Sequence, residues 1–259
     1  MSFDRVIGIG WDAGGWMGSN HGIAICQWER RTNQIKWIGA PAEISLPVQS
    51  LLSIKELTCQ VDPFFTFKDT DMKTLFVIGI DAPLGFPAPF HKLLKGEIPD
   101  MIKPDKEIYN PFAYRLTDRE IYSVFGKKPL SASFDRIGNN ATAAMMHSRL
   151  WEKEEGFKAL PFRETAEYDN RFIIEVYPAL VKEKRFEEVH EHLRRFMPKN
   201  ENPGTDAYDA CICALYAVAF GSEGELLPKL AHPPNENEAV IKEEGWIYYF
   251  SNMHHLLLD

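Results

Sequence analysis

Long apolar runs are missing from this sequence. The longest, Ala210–Phe220, falls well short of the ~20 residues that a membrane-spanning helix needs, so no membrane span is expected. Basic residues are in deficit: 29 Lys and Arg against 37 Asp and Glu leave a net charge of −8. That argues against tight nonspecific binding of nucleic acid, which rests on phosphate neutralisation, but it leaves room for a local basic groove. Cysteine is scarce, and Cys26, Cys59, Cys211 and Cys213 show no metal-ligand spacing. Cys211 and Cys213 stand two apart on an expected helix, point to different faces, and read as small core residues of a reducing compartment. No basic stretch followed by an apolar one precedes the first strand, so a cytoplasmic location is the default expectation. Internal repeats and low-complexity segments are absent too.

What is present is an ordinary globular balance, 45% apolar and 25% charged over 259 residues. It fits one large domain with a sizeable core. Residues 5–16, RVIGIGWDAGGW, read as a buried strand that stops on Asp12 and breaks on Gly14 and Gly15. Residues 75–85, LFVIGIDAPLG, repeat the device with Asp81, Pro83 and Gly85. In open α/β sheets, ligands sit at the carboxyl ends of the strands, and each of these strands delivers an Asp there. Residues 21–28 and 34–39 alternate as two further antiparallel strands. A short helix is expected within 47–59, where Val48, Leu51, Leu52 and Leu57 are apolar.

The segment 82–112 is rich in Pro and aromatics and reads as a functional loop or cap, part of an insertion over about 82–150. A helix follows at 116–125, with Thr117 as candidate N-cap and Glu120 three residues on. Others are expected from about 138 to 151, over 179–196 (charged and amphipathic) and over 205–220 (apolar). Residues 171–177 make a third strong strand, and 245–250 a last one. The pattern predicts an α/β fold with a mixed sheet flanked by helices, in which the strands at 6–11, 75–80 and 171–176 are parallel neighbours with the first between the other two.

The last apolar helix carries the remaining acids. Thr205 can cap it, and Asp206 and Asp209, three apart, share one face of its first turn. Acids there offset the helix dipole without further purpose, which accounts for Asp206 as well as function does. Asp209 also lies on the stripe of Cys213, Tyr216 and Phe220, and a buried carboxylate is costly unless paired or metal-bound. Glu175, inside the apolar strand FIIEVY, is either a further metal ligand or the partner of an arginine. Clustered carboxylates without His or Cys favour Mg²⁺ or Mn²⁺. The chemistry such clusters serve is two-metal displacement at phosphorus, in which one ion activates water and the other stabilises the leaving oxygen.

These stretches, together with RLTDRE (115–120), PLSASFDRIGNNAT (129–142), IIEVYPA (173–179) and TDAYDACICALYA (205–217), resemble the DUF429 family of predicted RNase H-like nucleases over nearly the whole chain. The resemblance implies an RNase H-like fold, a five-stranded mixed sheet with the first strand central. The D-x-x-D-A of Asp206–Ala210 is similar to the last-helix signature of the Holliday-junction resolvase branch. On that analogy Asp12 bridges the ions, and Asp81, Asp206 and Asp209 complete the shell. One departure stands out: many members carry the first Asp where this chain has Gly10. Asp12 keeps the same strand face but lies roughly 6–7 Å further along.

Arg115, Arg119 and Arg136, with Lys127 and Lys128, are candidates for contacts to nucleic acid or a phosphoester. A surface ion-pair cluster of Arg115, Asp118 and Arg119 is the bland alternative. If Arg115 faces the cleft, Arg115→Ala should weaken ligand binding with little loss of stability. Ser131 and Ser133 read as loop residues, and the pairs His190/His192 and His254–His255 as solvated. Gly8-x-Gly10-x-x-Ala13 matches a relaxed dinucleotide fingerprint, but Gly14, Gly15, Gly18 and Gly22 make the helix it requires improbable. An actin-like phosphotransferase fits Asp12-Ala13-Gly14 and not Asp81-Ala82-Pro83. The remaining alternative to a nuclease is an RNase H-like module that binds nucleic acid or protein and cleaves nothing.

Overall fold

The computed structural model describes residues 3–17, 20–47, 50–67, 73–99 and 102–253; Gly18, Val48 and the His254–His255 pair lie outside the described residues. Its strands are β1 (Arg5–Asp12), β2 (His21–Glu29), β3 (Gln34–Trp37), β4 (Ala42–Ile44), β5 (Thr74–Asp81), β6 (Lys158–Ala159), β7 (Arg171–Val176), β8 (Leu230–Ala231) and β9 (Ile247–Phe250). Its helices are α1 (Ile54–Cys59), α2 (Ala88–Leu94), α3 (Leu116–Phe125), α4 (Ile137–Glu155), α5 (Pro178–Val181), α6 (Glu187–Arg194), α7 (Asp206–Ser222) and α8 (Glu238–Glu244). The strands form one mixed sheet of order β3-β2-β1-β5-β7-β9-β8, with β4 also on β2 and β6 also on β7.

The expected α/β class holds, but the sheet has nine strands rather than five. Beyond the six strands read directly from the residues, the described chain adds β4, β6 and β8, which are two or three residues long, too short for alternation to mark them. A second correction concerns order. β1, β5 and β7 are parallel neighbours, yet β5 and not β1 lies between the other two. The antiparallel β2 occupies the far edge of β1, so each later parallel strand can add only beyond β5.

Side-chain alternation sorts the sheet into two cores. Val6, Ala24, Cys26, Leu75, Val77, Phe172 and Ile174 pack on α7. Ile7, Ile9, Trp11, Ile78, Ile80 and Ile173 turn the other way, toward Trp151 of α4 and Leu57 of α1. Helix α7 is buried on almost every side and lies directly on backbone. A Cβ at Gly10 would fall 1.9 Å from the Ala210 carbonyl oxygen, and one at Gly22 would fall 1.8 Å from that of Asp206. Gly10 therefore has a steric reason to be glycine, because an aspartate there would collide with the helix that carries Asp206 and Asp209. Gly10→Ala is expected to destabilise the protein by about 1–3 kcal/mol through overpacking. Urea denaturation checks this, and a loss within ~0.5 kcal/mol, the size of an ordinary surface change, would mean α7 can lift freely.

Three expected helices differ in detail. α1 starts only at Ile54, where Ser53 and Glu56 form a reciprocal capping box. α3 is preceded by Arg115, whose N–H donates to Asp118 Oδ2 at 2.8 Å, so Thr117 does not cap it. The Thr117 hydroxyl instead accepts from the Ile247 N–H at 2.9 Å. The stretch expected as one helix over 179–196 is broken into α5, a 3₁₀ turn at Lys184–Phe186, and α6, because Glu183 adopts an extended conformation.

Candidate functional site

Register places the acids. Asp12 and Asp81 are direct partners at the carboxyl ends of the parallel strands β1 and β5. Across β2, Asp12 pairs with Gly22, and Gly22 with Glu43 of β4, so Glu43, Asp12 and Asp81 stand in one row. Asp12 shares the parity of Gly8 and Gly10, and Asp81 that of Val77, so both lie on the α7 face. Because Gly22 has no side chain, the first turn of α7 can settle over this row. Thr205 caps that turn, its hydroxyl accepting from the Tyr208 N–H at 3.2 Å. Asp206 and Asp209 thereby arrive beside Asp12.

The electrostatics follow from that crowding. Burial, then the charges of Asp209 and Asp206, push the Asp12 carboxyl up to about 7. Burial, then Asp12 and Asp209, raise Asp81 well above the ordinary carboxylate range. Asp206 is raised by burial, Glu43 and Asp209. The opposing charge is Lys182, which follows α5 directly. Its Nζ donates to Asp209 Oδ1 at 2.7 Å and Oδ2 at 2.5 Å, and its charge lowers the proton affinity of Asp12, Asp81 and Asp206.

The turn after Asp12 is held by His21. Its Nδ1 accepts from the Gly14 N–H at 3.1 Å, and its Nε2 meets the Gly15 carbonyl at 3.0 Å. A carbonyl only accepts, so His21 is the neutral Nε2–H tautomer, and burial lowers its pKa in keeping. Among the described residues no helix lies between β1 and β2, so the helix that a dinucleotide-binding motif requires is not found there.

Glu175 stands apart from the acids for a reason of parity. It alternates with Ile174 and Val176 and shares the face of Ile173, opposite to Asp81. Both its oxygens are taken by Arg115, Nη1 to Oε2 at 2.7 Å and Nη2 to Oε1 at 2.6 Å, and Oε2 also accepts from the Leu84 N–H. Of the two roles left open for Glu175, the arginine pair is the one found, although its charge still reaches Asp81 and helps to raise that carboxyl.

Arg115, expected at a phosphate or in a surface cluster, is 1% exposed. Its remaining donors reach both Asp118 oxygens at 2.9 and 3.1 Å and the Glu244 carbonyl at 3.5 Å. It is a buried structural cation with no donor left for a ligand. The Glu244 carboxylate in turn accepts from the first N–H groups of α2 and α3, at Ala88 and Leu116, satisfying donors that a helix start leaves unpaired.

The other candidates are dispersed. Arg119 is half-buried near Glu244, with its Nε unpartnered. Lys127 pairs with Glu183, and Lys128 with Glu107. Arg136 is exposed just before α4. Ser131 is a loop residue, donating to the Ala113 carbonyl and accepting from the Phe134 N–H. His190 is half-buried against the Tyr208 hydroxyl and His192 against Phe196, so neither is fully solvated.

A cavity of about 230 Å³ opens beside Asp81, walled by Pro83, Leu130, Ile137, Tyr177 and Ala179. Of the Pro-rich segment 82–112 only Ala82 and Pro83 line it, together with the buried Arg115, Asp118 and Glu175. A larger cavity, about 630 Å³, lies away from the acids, among Phe3, Leu75, Phe172 and Phe220.

Among the described residues, no group of three or more His, Cys, Asp or Glu stands ready-made for a metal ion, and no helix is long and apolar enough to cross a membrane. No family model, curated protein or solved structure matches the chain. Three participants were not among the sequence candidates. Glu43 sits on a strand of three residues, Lys182 follows a four-residue helix, and His21 lies within a strand read only for its alternation.

Proposed function

We propose that the protein is a Mg²⁺- or Mn²⁺-dependent phosphodiester hydrolase of nuclease type, with an RNase H-like fold of the DUF429 kind. One observation carries the reading: Asp12 and Asp81 are register partners at the carboxyl ends of adjacent parallel strands, with Asp206 and Asp209 brought onto the same face by α7. The order β3-β2-β1-β5-β7, with the first strand central among those five, supports the fold assignment. The donor set is all oxygen, which suits a hard cation. The proton affinities of Asp12, Asp81 and Asp206 are raised first by burial and then by neighbouring carboxylates, and a bound cation would offset both.

Asp12, Asp81 and Asp209, with Asp206 at the rim, would hold the ions, which when bound supply charge neutralisation at phosphorus and at the leaving oxygen. In the overall reaction a water oxygen bonds to phosphorus, the bond to the leaving oxygen breaks, and a water proton ends on the leaving group. The cavity beside Asp81 gives the flanking part of the substrate a place at the same edge.

The experiment is a thermal melt with Mn²⁺ at a hundredfold excess over Kd, where linkage supplies about 2.7 kcal/mol. The melting temperature should rise by about 5–10 °C. Asp209→Asn should blunt the rise and abolish cleavage of labelled single-stranded and duplex oligonucleotides. A melting curve unmoved by Mn²⁺ in both proteins would sink the metal site. The second reading, a module that binds nucleic acid or protein without cleaving, would then stand. What favours it is the Lys182 ammonium already seated on both oxygens of Asp209.

A further inference from the structure

Lys182 is built into the acid cluster by the fold. β7 ends at Val176, and Pro178 starts α5 immediately after Tyr177. Leu180 and Val181 are fully buried, which fixes the short helix against the core and presents the next residue, Lys182, to α7. Its side chain keeps 27% of its exposure and that of Asp209 16%. The pair therefore sits at the mouth of the cluster and not within sealed core.

The two short bonds to Oδ1 and Oδ2 put the ammonium on both oxygens of one carboxylate. A lysine ammonium is a compact point charge that moves on a flexible stem. In a site whose other members are Asp12, Asp81 and Asp206, it supplies the local positive charge without filling the site.

We infer that Lys182 is a positioning residue, a resident counter-cation that holds both Asp209 oxygens in place and that a divalent ion must displace to reach Asp209. The inference rests on the carboxylate cluster being a cation site. Lys182 and the ion compete for the same oxygens, so the lysine sets the concentration at which the site fills. The partly exposed side chain has solvent to swing into when it leaves. A lysine with a purely structural role would make the opposite prediction, since its removal would loosen Asp209 and weaken every ligand of the cluster.

The test is titration of Mn²⁺ into the full-length wild type, Lys182→Met and Lys182→Arg. Free ion is followed by its paramagnetic resonance signal, and folding of each protein is confirmed by its melting curve. Methionine keeps the length of the stem and removes the charge, so Lys182→Met should bind Mn²⁺ about tenfold or more tightly than wild type, as expected when a like charge within ~4 Å is taken away. Lys182→Arg keeps the charge and should stay within about threefold of wild type. Binding by Lys182→Met where wild type binds weakly or not at all supports the inference. A wild type that binds Mn²⁺ while Lys182→Met binds equally or more weakly overturns it, leaving the cation site intact. Absence of binding in all three overturns the cation site itself, and the inference with it.

Discussion

Replacing Arg115 with methionine is expected to cost about 3–5 kcal/mol of folding stability, the range seen when one partner of a buried ion pair is removed. The guanidinium is 1% exposed, and so is Asp118, while Glu175 is 3% exposed. All five of its N–H donors have acceptors on Asp118, Glu175 and the Glu244 carbonyl. Taking it away leaves two carboxylates in the interior with no cation between them. The same guanidinium ties α3 to the end of β7 and to α8, so the loss should spread to the wall of the cavity beside Asp81. Arg115→Lys should recover only part of the stability, since an ammonium has three donors and no planar fork. Urea denaturation of the three proteins checks this. A loss below about 1 kcal/mol, the ceiling for an exposed pair, would show that water reaches the cluster. The expectation drawn from sequence, that Arg115→Ala weakens a ligand at little cost in stability, is reversed by the burial of this side chain.

Arg115 also shows what kind of information the sequence withholds. Its local pairing with Asp118, three residues on, was among the sequence readings, but its other partners lie 60 and 129 residues away, and only the closed fold brings those to it and buries the group. Glu175 was closer to legible. Counting by twos along FIIEVY puts it on the face opposite to the residues that follow the parity of Asp81, once the register of β5 and β7 is known. The strand-ending aspartates Asp12 and Asp81 were readable because a buried run that stops on Asp and breaks on Gly or Pro is a local pattern. The pair Asp206 and Asp209 was readable because helical spacing is local too. Lys182 and Glu43 were not, since each reaches the cluster from a very short element whose placement depends on its neighbours. Nor was the role of Gly10 legible as the point where α7 rests on β1, because that contact lies far along the chain.

In metal-free protein, Asp12→Asn is expected to be more stable than wild type near pH 8 and indistinguishable from it near pH 4. The carboxyl of Asp12 is raised from 3.8 to about 7, first by burial and then by Asp209 and Asp206. The folded state therefore binds this proton more tightly than the unfolded chain does. The stability it contributes is fully present below about pH 4 and is lost as pH rises through about 7. Each tenfold difference in proton affinity between the folded and unfolded states is worth about 1.4 kcal/mol. On that scale the ionised Asp12 costs the wild type about 2–4 kcal/mol at pH 8, and asparagine escapes that cost. Removing its charge also relieves Asp81, whose proton affinity Asp12 helps to raise, so the gain is not confined to one side chain. Urea denaturation in chelator at intervals from pH 4 to 8 gives the difference profile, which should climb between those limits and flatten above the Asp12 midpoint. If the carboxylates are crowded for a cation's sake, Mn²⁺ at pH 8 should restore the wild type and leave Asp12→Asn little changed. A difference profile flat across the whole range would mean that the Asp12 carboxyl is hydrated and unrepelled. The row of acids would then be a neighbourhood in register only, without the electrostatic tension on which a cation site depends.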